Sequence, residues 1–399
     1  MHSPYPLPPE KKFYTHRLIL NIFTTSGTII ITSNRRLLPY LEQEVAELGF
    51  SSRQSSPGTI QLTGTVNDCI RLNLNLRCAG QVLYSLKKFY AKNPDEVYSV
   101  LVNFPWEEII PLDTVLSITS SVDHFTVNNS MFMNLKVKDA VADRLRNKTG
   151  RRPDSSPLPD RTVVHLYWRE DHAEIFIDTS GENLSKHGYR KIPGKAPMLE
   201  ALTTGTLMAT KWDGLSPFIN PMCGSGTVAI EAALLATHRR PGLFRKNYGF
   251  MHVKGYDEAI YNQELRKLRE QIKIVPDLTI IATDIREEAV QEAKINAAAA
   301  GVADIIRFAV GDFETTPVPE RPGVIYFNPE YGERLGDTNE LAATYARIGD
   351  FMKKKCKGYR GHVFTGNLEL AKKIGLKASR RFEFYSAKID CRLLQYELY

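Results

Sequence analysis

Across its 399 residues the chain has no cysteine pair at CxxC spacing, no internal repeat or low-complexity tract, and no run approaching the roughly 18 apolar residues that a membrane helix needs. A membrane partner is therefore not expected. The five cysteines (Cys69, Cys78, Cys223, Cys356 and Cys391) are odd in number and scattered. That does not suit a zinc ribbon and points to reduced thiols in a cytoplasmic protein. Neither Cys223 nor Cys391 has a general-base constellation beside it in sequence, so neither reads as a nucleophile. The first ten residues hold four prolines and no apolar core of leader length, so export is not expected.

What is present is ordinary globular material. Apolar residues make up 43% and charged residues 24%, with 26 Gly and 22 Pro, which excludes disordered, collagen-like and coiled-coil classes. The length suits about two to three domains with more than one core. Lys and Arg outnumber Asp and Glu by 52 to 45, and the resulting formal charge of +7 admits a polyanionic partner without demanding one.

Residues 1–15 are Pro-rich and read as an arm. A first unit, 16–90, begins with the β-branched run Ile29-Ile30-Ile31. A helix over 36–48 follows, with Leu38, Leu41, Val45 and Leu48 on one face and Gly49 ending it. A polar loop (51–58), the strand Thr59-Ile60-Gln61-Leu62 and a second helix from Asp68 complete an α+β, ferredoxin-like order. A second unit, 91–178, has strands at 114–120, 162–167 and 174–177. Between the first two of these lies an amphipathic helix, 133–148, with Met133, Val137, Val141 and Leu145 on one side. Lys136, Lys138, Arg144, Arg146 and Lys148 surround the other side, and Arg151 and Arg152 follow. That basic face is either solvated or a surface for phosphates, where counterion release favours binding.

From residue 179 to 399 the chain alternates βα units, as a parallel sheet requires. Pro217-Phe218-Ile219, Thr279-Ile280-Ile281-Ala282, Val324-Ile325-Tyr326-Phe327 and His362-Val363-Phe364-Thr365 are buried-strand runs. Residues 382–389 and 392–398 form a closing antiparallel hairpin.

Four strand ends carry the chemistry. Asn220-Pro221-Met222-Cys223-Gly224-Ser225-Gly226-Thr227 leads from a strand into an Ala-rich helix; its glycines allow close backbone approach, and the helix N-terminus favours an anion. It has neither GxGxxG spacing nor a P-loop lysine, so NAD and ATP are poor candidates. Asp284, with Ile285 beside it, ends the second strand, where an acid accepts ribose hydroxyls. It lies 58 residues past Gly226, which an insertion at 237–276 explains; the plainer alternative is a helix cap paired with Glu287. Asp312-Phe313 follows a strand over 305–310 and suits an adenine amine and ring, or simply a turn. Asn328-Pro329-Glu330-Tyr331-Gly332-Glu333-Arg334 ends the next strand. There an amide oxygen and a carbonyl held by Pro329 accept from an exocyclic amine, and an aromatic stacks on its base.

These strings resemble class I S-adenosylmethionine-dependent methyltransferases that methylate amines. From about residue 180 to the end the chain is more specifically similar to the bacterial 23S ribosomal RNA guanine-N2 methyltransferase family. Supporting strings are Gly188-Tyr189-Arg190 with Ala196-Pro197-Met198-Leu199-Glu200, His238-Arg239-Arg240-Pro241-Gly242, and Cys391-Arg392-Leu393-Leu394-Gln395-Tyr396. Residues about 60–178 resemble a THUMP domain, chiefly through Leu135-Lys136-Val137-Lys138-Asp139-Ala140.

The resemblance implies a Rossmann-like α/β methyltransferase domain preceded by ferredoxin-like and THUMP-like α+β units. It implies S-adenosylmethionine as cofactor, held by Asn220, Cys223, Gly224, Ser225, Gly226, Thr227, Asp284, Ile285, Asp312 and Phe313. Asn328, Pro329 and Tyr331 take the catalytic places, and no metal is required because a sulfonium is the leaving group. Structured RNA is the implied partner, ribosomal RNA favoured and transfer RNA possible, with Lys136, Lys138, Arg144, Arg239, Arg240 and Lys254 as expected contacts. The insertion interleaves its basic residues with Phe244, Tyr248, Phe250 and Tyr256, which suit either base stacking or a local core.

Two residues depart from the family pattern: Asn220 stands where Asp is usual, and Glu330 where the second Pro of Asn-Pro-Pro-Tyr is usual. Glu330 is expected to point away from the target base. Rival readings are a transfer RNA guanine-N2 methyltransferase, a DNA adenine methyltransferase, and a catalytically weak RNA-binding assembly factor.

Overall fold

The computed structural model describes residues 21–194, 197–331 and 338–399. The expected arm at 1–15, Ala196 of the supporting string and Gly332-Glu333-Arg334 of the catalytic string lie outside these residues.

The first half builds one eight-stranded sheet from β1 (Gly27–Thr32), β2 (Arg53–Ser56), β3 (Thr59–Gly64), β4 (Gln81–Tyr90), β5 (Val115–Asp123), β6 (Asp154–Ser155), β7 (Thr162–Arg169) and β8 (His172–Asp178). Their order is β2-β3-β1-β4-β8-β7-β5-β6. The helices with them are α1 (Leu38–Glu47), α2 (Val66–Asn75), α3 (Pro94–Val102) and α4 (Ser130–Thr149). Ile29 and Ile31 alternate with less buried neighbours along β1, and both are fully buried. Thr65 and Asp68 form a capping box that starts α2. On α4, Met133, Val137, Val141 and Leu145 are all buried, and the helix ends at Gly150 with φ +74°.

Two features depart from the sequence reading. The segment expected as a polar loop at 51–58 contains β2, an edge strand paired with β3 (Gln54 opposite Ile60); its polar side chains leave no apolar alternation to read. The two N-terminal units also share their sheet, because β4 pairs antiparallel with β8 from Leu83 opposite Asp178 to Tyr90 opposite His172.

The second half builds a seven-stranded sheet from β9 (Phe218–Pro221), β10 (Ile280–Asp284), β11 (Ile306–Val310), β12 (Val324–Phe327), β13 (Arg360–Thr365), β14 (Arg380–Ser386) and β15 (Ile389–Glu397). The order is β11-β10-β9-β12-β13-β15-β14; β9 to β13 run parallel, and β15 lies antiparallel to β13 and β14. Helices α5 (Glu200–Thr210), α6 (Thr227–Ala236), α7 (Glu258–Glu270), α8 (Glu287–Ala299), α9 (Thr338–Lys355) and α10 (Leu368–Lys372) accompany it. Strand order reverses between β9 and β12, which opens a crevice at their carboxyl ends.

The insertion fastens the halves together. Phe250 N–H donates to the Thr179 carbonyl (3.0 Å), Lys254 N–H to that of Ile109 (2.8 Å), and the Thr162 hydroxyl to that of His252 (2.6 Å). Tyr248 and Phe250 are fully buried and stacked at 5.1 Å, so these aromatics form a local core and are not free for bases.

A buried polar seam lies beneath. Glu44 accepts N–H bonds from Arg77 (3.1 Å) and Cys78 (2.9 Å). His187 Nε2 meets the Arg77 carbonyl at 2.9 Å and Nδ1 meets Glu231 at 2.8 Å. With Glu231 ionised both partners accept, an arrangement that the doubly protonated ring satisfies. Burial pulls His187 down, but the Glu231 charge and hydrogen bond outweigh it and raise it above its ordinary value.

Candidate active site

A cleft of about 460 Å³ opens at the carboxyl ends of β9, β10 and β12, where the strand order reverses. Asn220, at the end of β9, is fully buried. Its Nδ2 donates to the Tyr326 carbonyl on β12 (3.0 Å), a bond that a carboxylate could not make. Its Oδ1 is buried without a partner among the described residues. The loop then turns through Met222 (φ +58°) and Gly224 (φ +54°), and a Cβ on Gly224 would meet nothing within 4 Å. The backbone there is open to a ligand.

Gly226 (φ +84°) serves packing instead. A Cβ there would sit 2.8 Å from that of Ala293, so this glycine lets α6 approach α8, and it does not line the cleft. Ser225 donates to the Pro193 carbonyl (3.3 Å), and Thr227 accepts from Arg190 (3.0 Å), which also holds the Met198 carbonyl (2.7 Å). Burial pushes the Cys223 thiol well above its ordinary value, and the charge of Asp284 adds to this. That suits a packed thiol and not a nucleophile.

Asp284 ends β10 and ties two loops, accepting from Gly224 N–H (2.9 Å) and Arg286 N–H (3.0 Å). The cap of α8 is Arg286, without a side-chain bond, so Asp284 is not the helix cap of the plainer alternative. Ile285 beside it lines the cleft and is exposed. Asp312 caps a short turn through Glu314 N–H (2.9 Å). Burial alone would raise its carboxyl, but the Arg347 guanidinium and that N–H outweigh it and hold it below the ordinary range. Phe313 is buried edge-on against Phe327 and Phe351.

At the end of β12, Asn328 lines the cleft, and its Oδ1 is buried with no partner among the described residues. Pro329 is buried and does not line the cleft. Glu330 is exposed and borders the cleft. Tyr345, from α9, donates to the Glu330 carbonyl (3.3 Å) and meets the Thr365 hydroxyl at 2.9 Å, which fixes the main chain of the turn. Nothing in the sequence singles out Tyr345. Tyr331 lies outside the cleft, edge-on to Phe364 at 6.0 Å with its hydroxyl 3.8 Å from Cys391 Sγ. Burial raises its phenol to about 12. Among the described residues no cluster of metal-ligating side chains occurs, and no helix is long and apolar enough to cross a membrane.

The family model for the RMKL-like methyltransferase domain matches residues 187–395, a little over half of the chain. The chain belongs to the RMKL-like methyltransferase family. Ahead of that domain, models of an RlmL ferredoxin-like domain and a THUMP domain match residues 28–83 and 91–178. A ribosomal RNA large subunit methyltransferase K/L of Syntrophotalea carbinolica is 32% identical over 379 residues, covering 92% of this chain and 53% of that protein. The chain thus spans about half the length of the curated relatives it matches. Among solved structures, a protein of Listeria monocytogenes described as a predicted N6-adenine-specific DNA methylase is 28% identical, with a TM-score of 0.84 over 94% of this chain and 97% of that one. The putative methyltransferase SMU.472, complexed with SAH, shares the fold at 24% identity and a TM-score of 0.84, covering 94% and 98%.

Most of the basic residues expected to meet RNA have partners inside the chain. Lys136 pairs with Asp95 (2.6 Å) and Lys138 with Asp139 (3.6 Å). Arg144 makes a two-pronged bond to Glu107 (2.6 and 2.9 Å), and Lys254 donates to the Glu107 carbonyl (2.6 Å). Arg240 lies 4.0 Å from Glu44 and Arg239 is half-buried. Lys148 and Arg151, at the end of α4, are exposed.

Proposed function

We propose that the chain transfers a methyl group from S-adenosylmethionine to the exocyclic N2 amine of a guanine in large-subunit ribosomal RNA. One observation carries the reading: Asn328 buries an unsatisfied amide oxygen at the mouth of β12, in the same cleft as the glycine loop and Asp284. A buried acceptor without a partner costs about 1–3 kcal/mol and is retained where a ligand supplies the donor.

In this reading Asp284 accepts the ribose hydroxyls, and Asp312 accepts the adenine amine beside Phe313. The Asn220 oxygen accepts from the amino group of the methionine part, whose carboxylate meets the α6 N-terminus. The bound cofactor supplies an electrophilic methyl on a sulfonium, which departs as a neutral thioether. In this reading the Asn328 oxygen and the Pro329 carbonyl accept both N–H bonds of the amine and turn its lone pair toward the cleft, which requires the turn to bring the Pro329 carbonyl, outside the cleft lining here, onto the base. That is catalysis by positioning. The base must leave its stack first, at a cost of a few kcal/mol. Tyr331, packed on Phe364 outside the cleft lining, is in this reading the stacking partner of the base as it leaves the helix. Glu330, which borders the cleft, is in this reading a further acceptor for an N–H of the base. The N-terminal sheet grips the RNA, with Lys148 and Arg151 as phosphate contacts and the paired lysines and arginines as scaffold.

The geometry at Asn328 would serve an adenine amine as well, and the Listeria relative carries that description. The THUMP match favours RNA. Mass spectrometry of ribosomal and transfer RNA nucleosides from a deletion strain tests the proposal: N2-methylguanosine should fall in ribosomal RNA. A loss confined to transfer RNA points to the transfer RNA rival, and unchanged nucleosides with intact cofactor binding point to an assembly factor. For the cofactor site, Asp284→Ala should raise the dissociation constant about tenfold or more, since bonds to a charged acceptor contribute roughly 1.5–3 kcal/mol. Unchanged affinity in a folded variant removes Asp284 from the site.

A further inference from the structure

Arg347 belongs to none of the motifs, yet it reaches the cleft from α9, together with Leu341 and Thr344 on the same face. Its Nη2 lies 2.8 Å from both oxygens of Asp312 and 2.7 Å from Glu314 Oε2, with Nε 3.2 Å from the same Glu314 oxygen. Its Cζ sits 4.9 Å from the centre of the Phe313 ring. One guanidinium therefore bridges the two carboxylates that flank Phe313 and covers the face of that ring.

The bonds divide unequally. Asp312 Oδ1 accepts from Glu314 N–H and from Arg347, whereas Oδ2 accepts from Arg347 alone. Oδ2 keeps acceptor capacity for a ligand in the cleft. Without Arg347, Asp312 and Glu314 would be two like charges on one turn. The pair would relieve that by rotating apart, which takes Oδ2 away from the position where an amine needs an acceptor.

We propose that Arg347 is the positioning residue of the adenine subsite: it holds the Asp312 carboxylate aimed into the cleft, and so makes the cleft select a 6-amino purine over a 6-oxo purine. This rests on the assignment of Asp312 to the adenine amine made above.

Calorimetric titration of the full chain with S-adenosylhomocysteine and with S-inosylhomocysteine tests it. The wild type should prefer the adenosyl ligand. Arg347→Ala should weaken the adenosyl ligand about tenfold, the loss of a charge-assisted hydrogen bond, and leave the inosyl ligand nearly unchanged. Glu314→Gln added to Arg347→Ala removes the like charge and should restore most of the preference. If Arg347→Ala does not fold, Arg347→Lys, which keeps the charge but not the fork, should fall between. Equal weakening of both ligands, or no rescue by Glu314→Gln, would show that Arg347 only anchors α9 and overturns the proposal. Unchanged adenosyl affinity in Arg347→Ala overturns it too. Unchanged affinity in Asp312→Ala instead sinks the adenine assignment beneath it.

Discussion

At the cleft, Asn220 and Asn328 bury amide oxygens that no described residue satisfies, whereas along α4 Lys136, Lys138, Arg144 and Arg146 all have carboxylate partners within the chain. The two regions were built under opposite requirements. A site for a ligand keeps its acceptors open together in one cleft at a cost in stability; a scaffold pairs its charges and leaves only scattered buried groups unsatisfied, as at Asn134 Oδ1 on α4 and the Tyr248 hydroxyl. The contrast separates residues that touch substrate from residues that merely share its charge complement. The halves of the molecule are joined by the buried seam through Glu44, Arg77, His187 and Glu231 and by the backbone bonds of the insertion.

The largest expected effect tests that joint. Glu231→Ala would leave the His187 imidazolium buried without its counter-charge, and breaking such a pair costs about 3–5 kcal/mol. Denaturant unfolding monitored by circular dichroism checks it; a loss under about 1 kcal/mol would contradict the charged pair. The pH dependence follows from the directions of the two shifts. His187 is raised above 6.5, so its contribution is complete below that value and is lost as pH rises through the folded value. Glu231 is lowered from 4.5, because His187 and Thr204 outweigh its burial; its contribution is present above 4.5 and lost on acidification through the folded value. Stability should therefore decline on the alkaline side, and His187→Gln should flatten that limb. Removing residues 1–178 should likewise cost the methyltransferase domain its fold, since Arg77 and the core around α2 go with them.

Next in size is Asn328→Ala. Turnover should fall about 10²-fold or more, the usual consequence of losing one preorganised group at the reacting centre. Affinity for S-adenosylhomocysteine should hold within about twofold. Full single-turnover activity in that variant would remove the carrying observation.

Arg144→Ala sharpens the comparison from the scaffold side. Because Arg144 grips Glu107, the variant should lose about 1 kcal/mol of stability while RNA affinity and its salt slope stay put. A slope reduced by about 1 would mean that Arg144 meets a phosphate after all. The smallest effect is reserved for Glu330→Pro, which restores the usual family string. Activity should persist within a few-fold if Glu330 only assists base binding, and a collapse would make it the proton acceptor.

Much of the second sheet is legible in the sequence because each buried parallel strand is a short apolar run followed by a chemically distinctive turn. Asn220, Asp284, Asp312 and Asn328 fall at successive strand ends, and the topology brings those ends together. What the sequence hides is long-range. The β4–β8 pairing that merges the N-terminal units leaves no local trace, and β2 is a polar edge strand without periodicity. Tyr345 and Arg347 lie on an unremarkable amphipathic helix, and only its docking shows that they face the catalytic turn and the Asp312 turn. The basic helix misleads for the opposite reason: its charges are plain in sequence, and their partners Asp95 and Glu107 are not.

The proposed reaction is methylation of a guanine amine in ribosomal RNA at this cleft, through Asn328. The most direct measurement incubates the purified protein and its Asn328→Ala variant with S-adenosylmethionine labelled in the methyl group and undermethylated large-subunit ribosomal RNA, then resolves the nucleosides by mass spectrometry. Label should appear in N2-methylguanosine with the wild type and almost none with the variant. Label in N6-methyladenosine, or equal label from both proteins, would contradict it.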